Sequence, residues 1–97
     1  MSEDPRLGGI VRLYGAEQTH ALANSHVAVI GIGGVGSWTA EALARSGVGK
    51  ITLVDLDDVC VTNTNRQIHA LNNTIGEPKV EVMASRIAQI NPACDVA

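Results

Sequence analysis

A cluster of glycines between an apolar run and a helical one narrows what this chain can become more than any other feature. Val27-Ala28-Val29-Ile30 is short, uninterrupted and apolar, the pattern of a strand buried on both faces, and it leads into Gly31-Ile32-Gly33-Gly34-Val35-Gly36-Ser37. From Val35 the spacing turns helical. Val35, Trp38, Ala42 and Leu43 share one stripe, Glu41 and Arg45 fall outside it, and Ser46-Gly47 ends it. Ile51-Thr52-Leu53-Val54 reads as a second strand. Strand, glycine turn, helix and strand make a βαβ unit, so the class is α/β, the strands parallel and the crossover right-handed.

The G-x-G-x-x-G spacing has a mechanical meaning at that position. Gly31 permits the sharp turn, Gly33 lets backbone N–H groups approach phosphate oxygens, and Gly36 lets the helix pack against the strand. Gly34 and Ser37 belong to the same phosphate-holding set, and the helix start then faces the anion. The helix dipole favours negative charge there by about 0.3 to 1 kcal/mol at exposed sites. Asp55 ends the second strand, where a carboxylate accepts hydrogen bonds from ribose hydroxyls, and an adenosine-type nucleotide is implied. Asp57 and Asp58 read as loop acids, with Asp57 also placed to help hold a magnesium ion.

Up to this point a nicotinamide or flavin protein fits as well as an ATP protein. The next segment separates them. Asn63, Asn65, Arg66 and Gln67 form a polar cluster, and Lys79 follows near the start of the third helix. A triphosphate carries several negative charges, and attack at its α-phosphorus concentrates more of it in the transition state, which a fixed Arg and Lys stabilise. Each such contact at about 4 Å is worth roughly 4 kcal/mol before desolvation, for an effective dielectric constant of about 20. An isolated Arg or Lys is ordinarily a solvated surface charge; their position after the loop and Asp55 favours a functional reading.

The rest of the chain frames this unit. Leu7, Ile10, Val11 and Tyr14 suggest a short opening helix, weakened by Gly8 and Gly9 and stopped at Gly15, with a second helix over about Ala16 to Asn24; together they form a helical arm over residues 1–24. Residues 25–97 then form a βαβα unit. Val80, Met83, Ala84, Ile87 and Ala88 give the clearest helical stripe, with Gly76-Glu77-Pro78 at its start and Asn91-Pro92 at its end, and a third strand is expected at Cys94-Asp95-Val96-Ala97. With 97 residues, 45% of them hydrophobic, one modest core is all the chain can build. Seven basic against ten acidic residues, one Trp, one Tyr and no Phe argue against a phosphate-backbone surface or a base-stacking platform. Cys60 and Cys94 are too sparse for a disulfide framework or zinc site, and with no apolar leader or membrane-length run a reducing, cytoplasmic setting is expected. Trp38 is expected in the core, Cys60 in a loop or the core, and His20, His26 and His69 as surface or packing residues.

Taken in order, Gly31 to Ser37, Asp55-Leu56-Asp57, Asn63-Thr64-Asn65-Arg66-Gln67 and Gly76-Glu77-Pro78-Lys79 resemble the ThiF/MoeB/HesA superfamily, bacterial relatives of ubiquitin-activating enzymes. Arg12-Leu13-Tyr14-Gly15 and the stretch from Asp58 to Ala70 look like the branch that acts on a modified nucleoside of tRNA. The resemblance implies the N-terminal, ATP-binding half of a Rossmann-like, mostly parallel sheet with flanking helices, in a cytoplasmic homodimer. It also implies ATP and Mg2+ as cofactors and adenylylation of a carboxylate; in the tRNA branch a threonyl carboxylate is activated, an internal nitrogen displaces AMP, and a ring closes with net loss of water. Carried over by position, the loop glycines hold phosphate, Asp55 the ribose, and Asn63, Arg66 and Lys79 surround the triphosphate, helped by Gln67. An arginine that relatives send into the partner subunit's site aligns with Gly9 here, and Arg12, one turn later, is its substitute, joining Arg66 and Lys79 as the catalytic set. Other superfamily members adenylylate the C-terminus of a ubiquitin-like sulfur-carrier protein, which is the alternative partner. An NAD-dependent oxidoreductase and a non-catalytic interaction module remain from other classes. The superfamily domain continues through further strands that bear a magnesium-binding Asp, so this chain is expected to be an N-terminal part that forms a nucleotide half-site, is inactive alone, and leaves one edge of the Val27 to Ile30 strand uncovered.

Overall fold

The computed structural model describes residues 4 to 97, so the first three residues of the arm lie outside the description. A 3-10 turn at Pro5–Leu7 opens the chain and runs into α1 (Gly8–Tyr14) and α2 (Ala16–Ala23). Gly15 separates the two helices with φ at 87°, a left-handed value that a side chain at this position would oppose. Leu7 and Thr19 are buried, Leu22 packs against the core and its carbonyl accepts from Gly49 N–H, whereas Tyr14 is exposed, so the arm meets the body at its first turn and along α2.

The body is β1 (His26–Ile30), α3 (Gly36–Arg45), β2 (Lys50–Val54), a 3-10 turn at Val61–Asn65, α4 (Lys79–Ile90) and β3 (Asp95–Val96). The sheet order is β1-β2-β3 and both pairings are parallel, with Val29 opposite Leu53 and Ile51 opposite Val96. The third strand expected near Cys94 is therefore present. The core gathers Val29, Ile51 and Leu53 from the sheet, Ala40 and Ala44 from α3, and Met83 and Ile87 from α4. Ile51, Met83 and Ile87 are fully buried, which accounts for the clean α4 stripe in the sequence.

Two expectations need correction. Val35 and Trp38 do not face the core: they are 83% and 54% exposed, and Ala42 is exposed too. The inward face of α3 is Ser37, Ala40, Glu41 and Ala44, a stripe of mostly small residues that lets the helix sit close to the sheet. Glu41 tolerates this position because Arg45 Nε lies 3.3 Å from Oε2 and Arg86 Nε bonds Oε1. Nor is β1 buried on both faces. Val29 is buried, but Ala28 is exposed and Ile30 is 79% exposed, and Val54, opposite Ile30, is 45% exposed. Helices α3 and α4 cover one face of the sheet; among the described residues no helix covers the other.

The ends of the helices are set by local chemistry. Helix α4 starts at Lys79, with Pro78 as its cap, and the Pro78 carbonyl accepts from Val82 N–H. At the far end, buried Asn91 donates through Nδ2 to the Ala44 carbonyl at 3.2 Å, so the residue that closes α4 also caps α3.

Candidate functional site

The glycine loop leaves β1 with Gly31 N–H still paired to the Val54 carbonyl at 2.8 Å, so the turn begins flush with the sheet. Gly31 has φ at 90°. A Cβ at Gly36 would sit 1.7 Å from the Gly31 carbonyl oxygen, so only glycine allows α3 to start this close to the loop. Gly33 and Gly34 differ from it. Cβ atoms there would meet nothing nearer than Gln67 Nε2 at 3.8 Å and the Arg66 stem at 3.6 Å, so this side is open space bordered by the Gln67 and Arg66 side chains. The N–H groups of Gly33, Gly34 and Val35 have no partner among the described residues. Unpaired donors at a helix start attract an anion.

Ile32, in the middle of the loop, is fully buried, and its N–H donates to Asp55 Oδ2 at 2.7 Å. Asp55 Oδ1 accepts from Asp57 N–H at 2.8 Å. Burial pushes the Asp55 carboxyl up, but those two backbone bonds and the charges of Lys79 and His69 outweigh it and hold the group below 3.8. The carboxylate is thus ionised and anchored at the loop, and each oxygen keeps lone pairs for a further donor.

The segment between β2 and α4 closes on itself. Asp58 bridges to Pro78 in antiparallel fashion, Val59 N–H donates to the Glu77 carbonyl, Gly76 N–H to the Val59 carbonyl, and Lys79 N–H to the Asp57 carbonyl at 3.0 Å. This clasp returns the chain to the end of β2, which explains why Lys79 acts on Asp55. Lys79 is buried to 7% exposure. The turn at Val61–Asn65 holds the remaining side chains. Asn63 is buried, and its Oδ1 accepts from Cys60 N–H at 2.8 Å, so that oxygen shapes the turn. Arg66 is exposed; its stem lies along Gly34, and Nη1 reaches Asn65 Oδ1 at 3.0 Å and the Thr62 carbonyl at 3.3 Å. Gln67 is 6% exposed, and its Oε1 has no partner among the described residues.

The site residues expected from sequence therefore fall into groups. Gly31, Gly33, Gly34, Gly36, Asp55, Arg66, Gln67 and Lys79 converge on the loop. Ser37 lies beside it but faces inward: its hydroxyl donates to the Gly33 carbonyl and accepts from Ile68 N–H at 3.3 Å, which makes it a brace under the loop. Arg12 is exposed on α1, its guanidinium over Gly8 and Gly9, and no described contact joins it to the loop. Two supports leave no mark in the sequence pattern. Trp38, half exposed, donates through Nε1 to the Arg66 carbonyl at 2.8 Å. His69, 1% exposed, holds the Ile32 carbonyl at 2.7 Å through Nε2, while its Nδ1 has no partner among the described residues. A histidine's backbone partner leaves no periodic trace in sequence; only its closeness to Gln67 could have drawn notice. Among the described residues no three His, Cys, Asp or Glu side chains gather where a metal ion could sit, and no helix is long and apolar enough to cross a membrane.

Comparison with known proteins adds a second, independent line. The ThiF family profile matches residues 7–97. The chain is 65% identical over 91 residues to the tRNA threonylcarbamoyladenosine dehydratase of Escherichia coli (strain K12), covering 94% of this chain and 34% of that protein. It is 42% identical over 83 residues to the molybdopterin-synthase adenylyltransferase of Salmonella typhimurium, covering 86% of this chain and 33% of that one. The crystal structure of the E. coli dehydratase in complex with ATP superposes with a TM-score of 0.94 at 64% identity, over 95% of this chain and 38% of the other. The chain spans about a third of the length of these curated relatives.

Proposed function

The chain belongs to the ThiF family, and from that premise we propose that it forms the ATP-binding half of an enzyme that adenylylates the carboxylate of threonylcarbamoyladenosine in tRNA and so drives its cyclising dehydration. The observation that carries the proposal is the row of unpaired N–H groups at Gly33, Gly34 and Val35, flanked by Arg66 and Lys79. The 65% identity to a dehydratase of that name, against 42% to a molybdopterin-synthase adenylyltransferase, favours the tRNA substrate over a protein C-terminus. The solved relative's ATP complex supports ATP as the nucleotide.

The residues fit ATP. The open side of Gly33 and Gly34 leaves room for phosphate oxygens against the backbone, and the orphaned Oε1 of Gln67 is an acceptor whose unpaired burial costs about 1 to 3 kcal/mol until a donor arrives. Bound ATP would supply an electrophilic α-phosphorus, with pyrophosphate leaving as the carboxylate attacks and AMP leaving as the ring closes. The chain's own part is to bind and orient: the loop amides grip phosphate, Asp55 takes ribose hydroxyls with its free lone pairs, and Arg66 and Lys79 offset the charge that grows at phosphorus. Asn65 Oδ1 and the Thr62 carbonyl hold the Arg66 guanidinium, and Asn63 and Gln67 stand with the two cations around the triphosphate. Magnesium would accompany the triphosphate, and Asp57, whose N–H bonds Asp55 Oδ1, is the loop acid placed to help hold it. Residues 1–97 are read as the N-terminal part of the catalytic domain of a cytoplasmic homodimer, with Arg12 serving the partner subunit's site.

Parallel calorimetric titration with ATP and NAD tests the proposal. Saturable ATP binding that weakens at least about tenfold in Lys79→Met, with no NAD binding, is the expected outcome. NAD binding without ATP binding would replace it with the oxidoreductase reading.

A further inference from the structure

We propose that His69 is the positioning residue that aims the Gly33 amide at the phosphates, a role resting on the nucleotide reading above. Ile32 is pinned from three sides. Its side chain is fully buried, its N–H is held by Asp55 at 2.7 Å, and its carbonyl is held by His69 at 2.7 Å. A carbonyl oxygen only accepts, so Nε2 of His69 carries the hydrogen. The Ile32–Gly33 peptide is trans, and in a trans peptide the carbonyl and the following N–H point in opposite directions. With the Ile32 carbonyl drawn inward to a histidine that is 1% exposed, the Gly33 N–H is turned outward, to the side where it has no protein partner. Among the described residues that is the one hydrogen bond this peptide makes, and a flipped peptide would present a carbonyl oxygen to the phosphates, repelling them.

Ser37 fixes the next peptide in the same sense, because both its N–H and its hydroxyl bond the Gly33 carbonyl. His69 therefore acts on one peptide and Ser37 on its neighbour, and the two together decide the orientation of consecutive loop amides. Ile68 N–H, bonded to Ser37 Oγ at 3.3 Å, ties the segment that carries His69 to that brace.

The test compares His69→Gln, whose amide can still donate to the Ile32 carbonyl, with His69→Met, which is of similar size and has no donor. ATP affinity is measured by calorimetry on the full chain, and the Gly33 amide resonance is followed by nuclear magnetic resonance without nucleotide. The Met variant is expected to bind ATP at least about tenfold more weakly and to shift the Gly33 amide, while the Gln variant stays within about threefold of the parent and restores the resonance. A folded Met variant with parental affinity and an unmoved Gly33 amide would overturn the assignment, as would a Gln variant as weak as Met. If Met fails to fold, a folded Gln variant with a displaced Gly33 amide overturns it alone. If the parent chain binds no ATP, the proposed function fails by itself, and the Gly33 amide still decides the role of His69.

Discussion

Gly31 and Gly36 sit five residues apart in one loop and are irreplaceable for different reasons. Gly31 has a left-handed φ of 90° with open space around its missing Cβ, so alanine there meets only backbone strain, about 1 to 2 kcal/mol. Gly36 has a Cβ position 1.7 Å from the Gly31 carbonyl oxygen, so alanine must push α3 off the sheet, at a cost of at least about 3 kcal/mol. Urea unfolding of the two alanine variants should rank them in that order; equal losses would mean the loop and helix separate more easily than their geometry indicates. The roles of these glycines were legible from spacing alone, because G-x-G-x-x-G between strand and helix has one mechanical solution. His69 was not. A single histidine gives no spacing to read, and its partner is a backbone carbonyl that any residue could supply.

Between elements, the α3–α4 contact is held by Glu41, whose carboxyl is pushed up by burial but brought net below 4.5 by its bonds to Arg86 and Arg45 and by their charges. A carboxyl with a lowered folded value contributes stability in full above the unfolded value and loses it as pH falls through the folded one. Glu41→Gln should therefore cost about 1 to 2 kcal/mol at neutral pH, and the gap between variant and parent should close under acid conditions below 4.5; a gap independent of pH would mean that shape, not charge, holds the helices. The sequence hid this contact because small residues make up the inward face of α3, while its bulky Val35 and Trp38 look outward. The stripe of α4 was legible because Met83 and Ile87 are both large and buried. The clasp from Asp57 to Lys79 was not, since it consists of backbone bonds between loops without periodicity. Trp38 offers a readout for this region. It is the only tryptophan, and its indole donates to the Arg66 carbonyl, so its emission should change on ATP titration and saturate with the calorimetric curve. ATP binding with unchanged emission would show that the Arg66 turn stays still.

At the scale of the whole chain, the described residues extend over 41 × 20 × 19 Å, and among them helices cover the sheet on one face only. Ala28, Ile30 and Val54 lie on the open face, and among the described residues β1 has a neighbour on one side. An open apolar face beside an unpaired edge favours association. Light scattering should report a mass that rises with concentration; a constant monomer mass would remove that expectation. The parallel order and the βαβ unit were readable in the sequence, but which faces are covered depends on layers that local periodicity does not reveal. The proposed nucleotide seat has a different character. All of its groups fall between Gly31 and Lys79, joined by bonds inside that span. A ribosome therefore delivers the whole seat as one contiguous stretch, and cellular ATP could engage the emerging chain and steady it while translation continues.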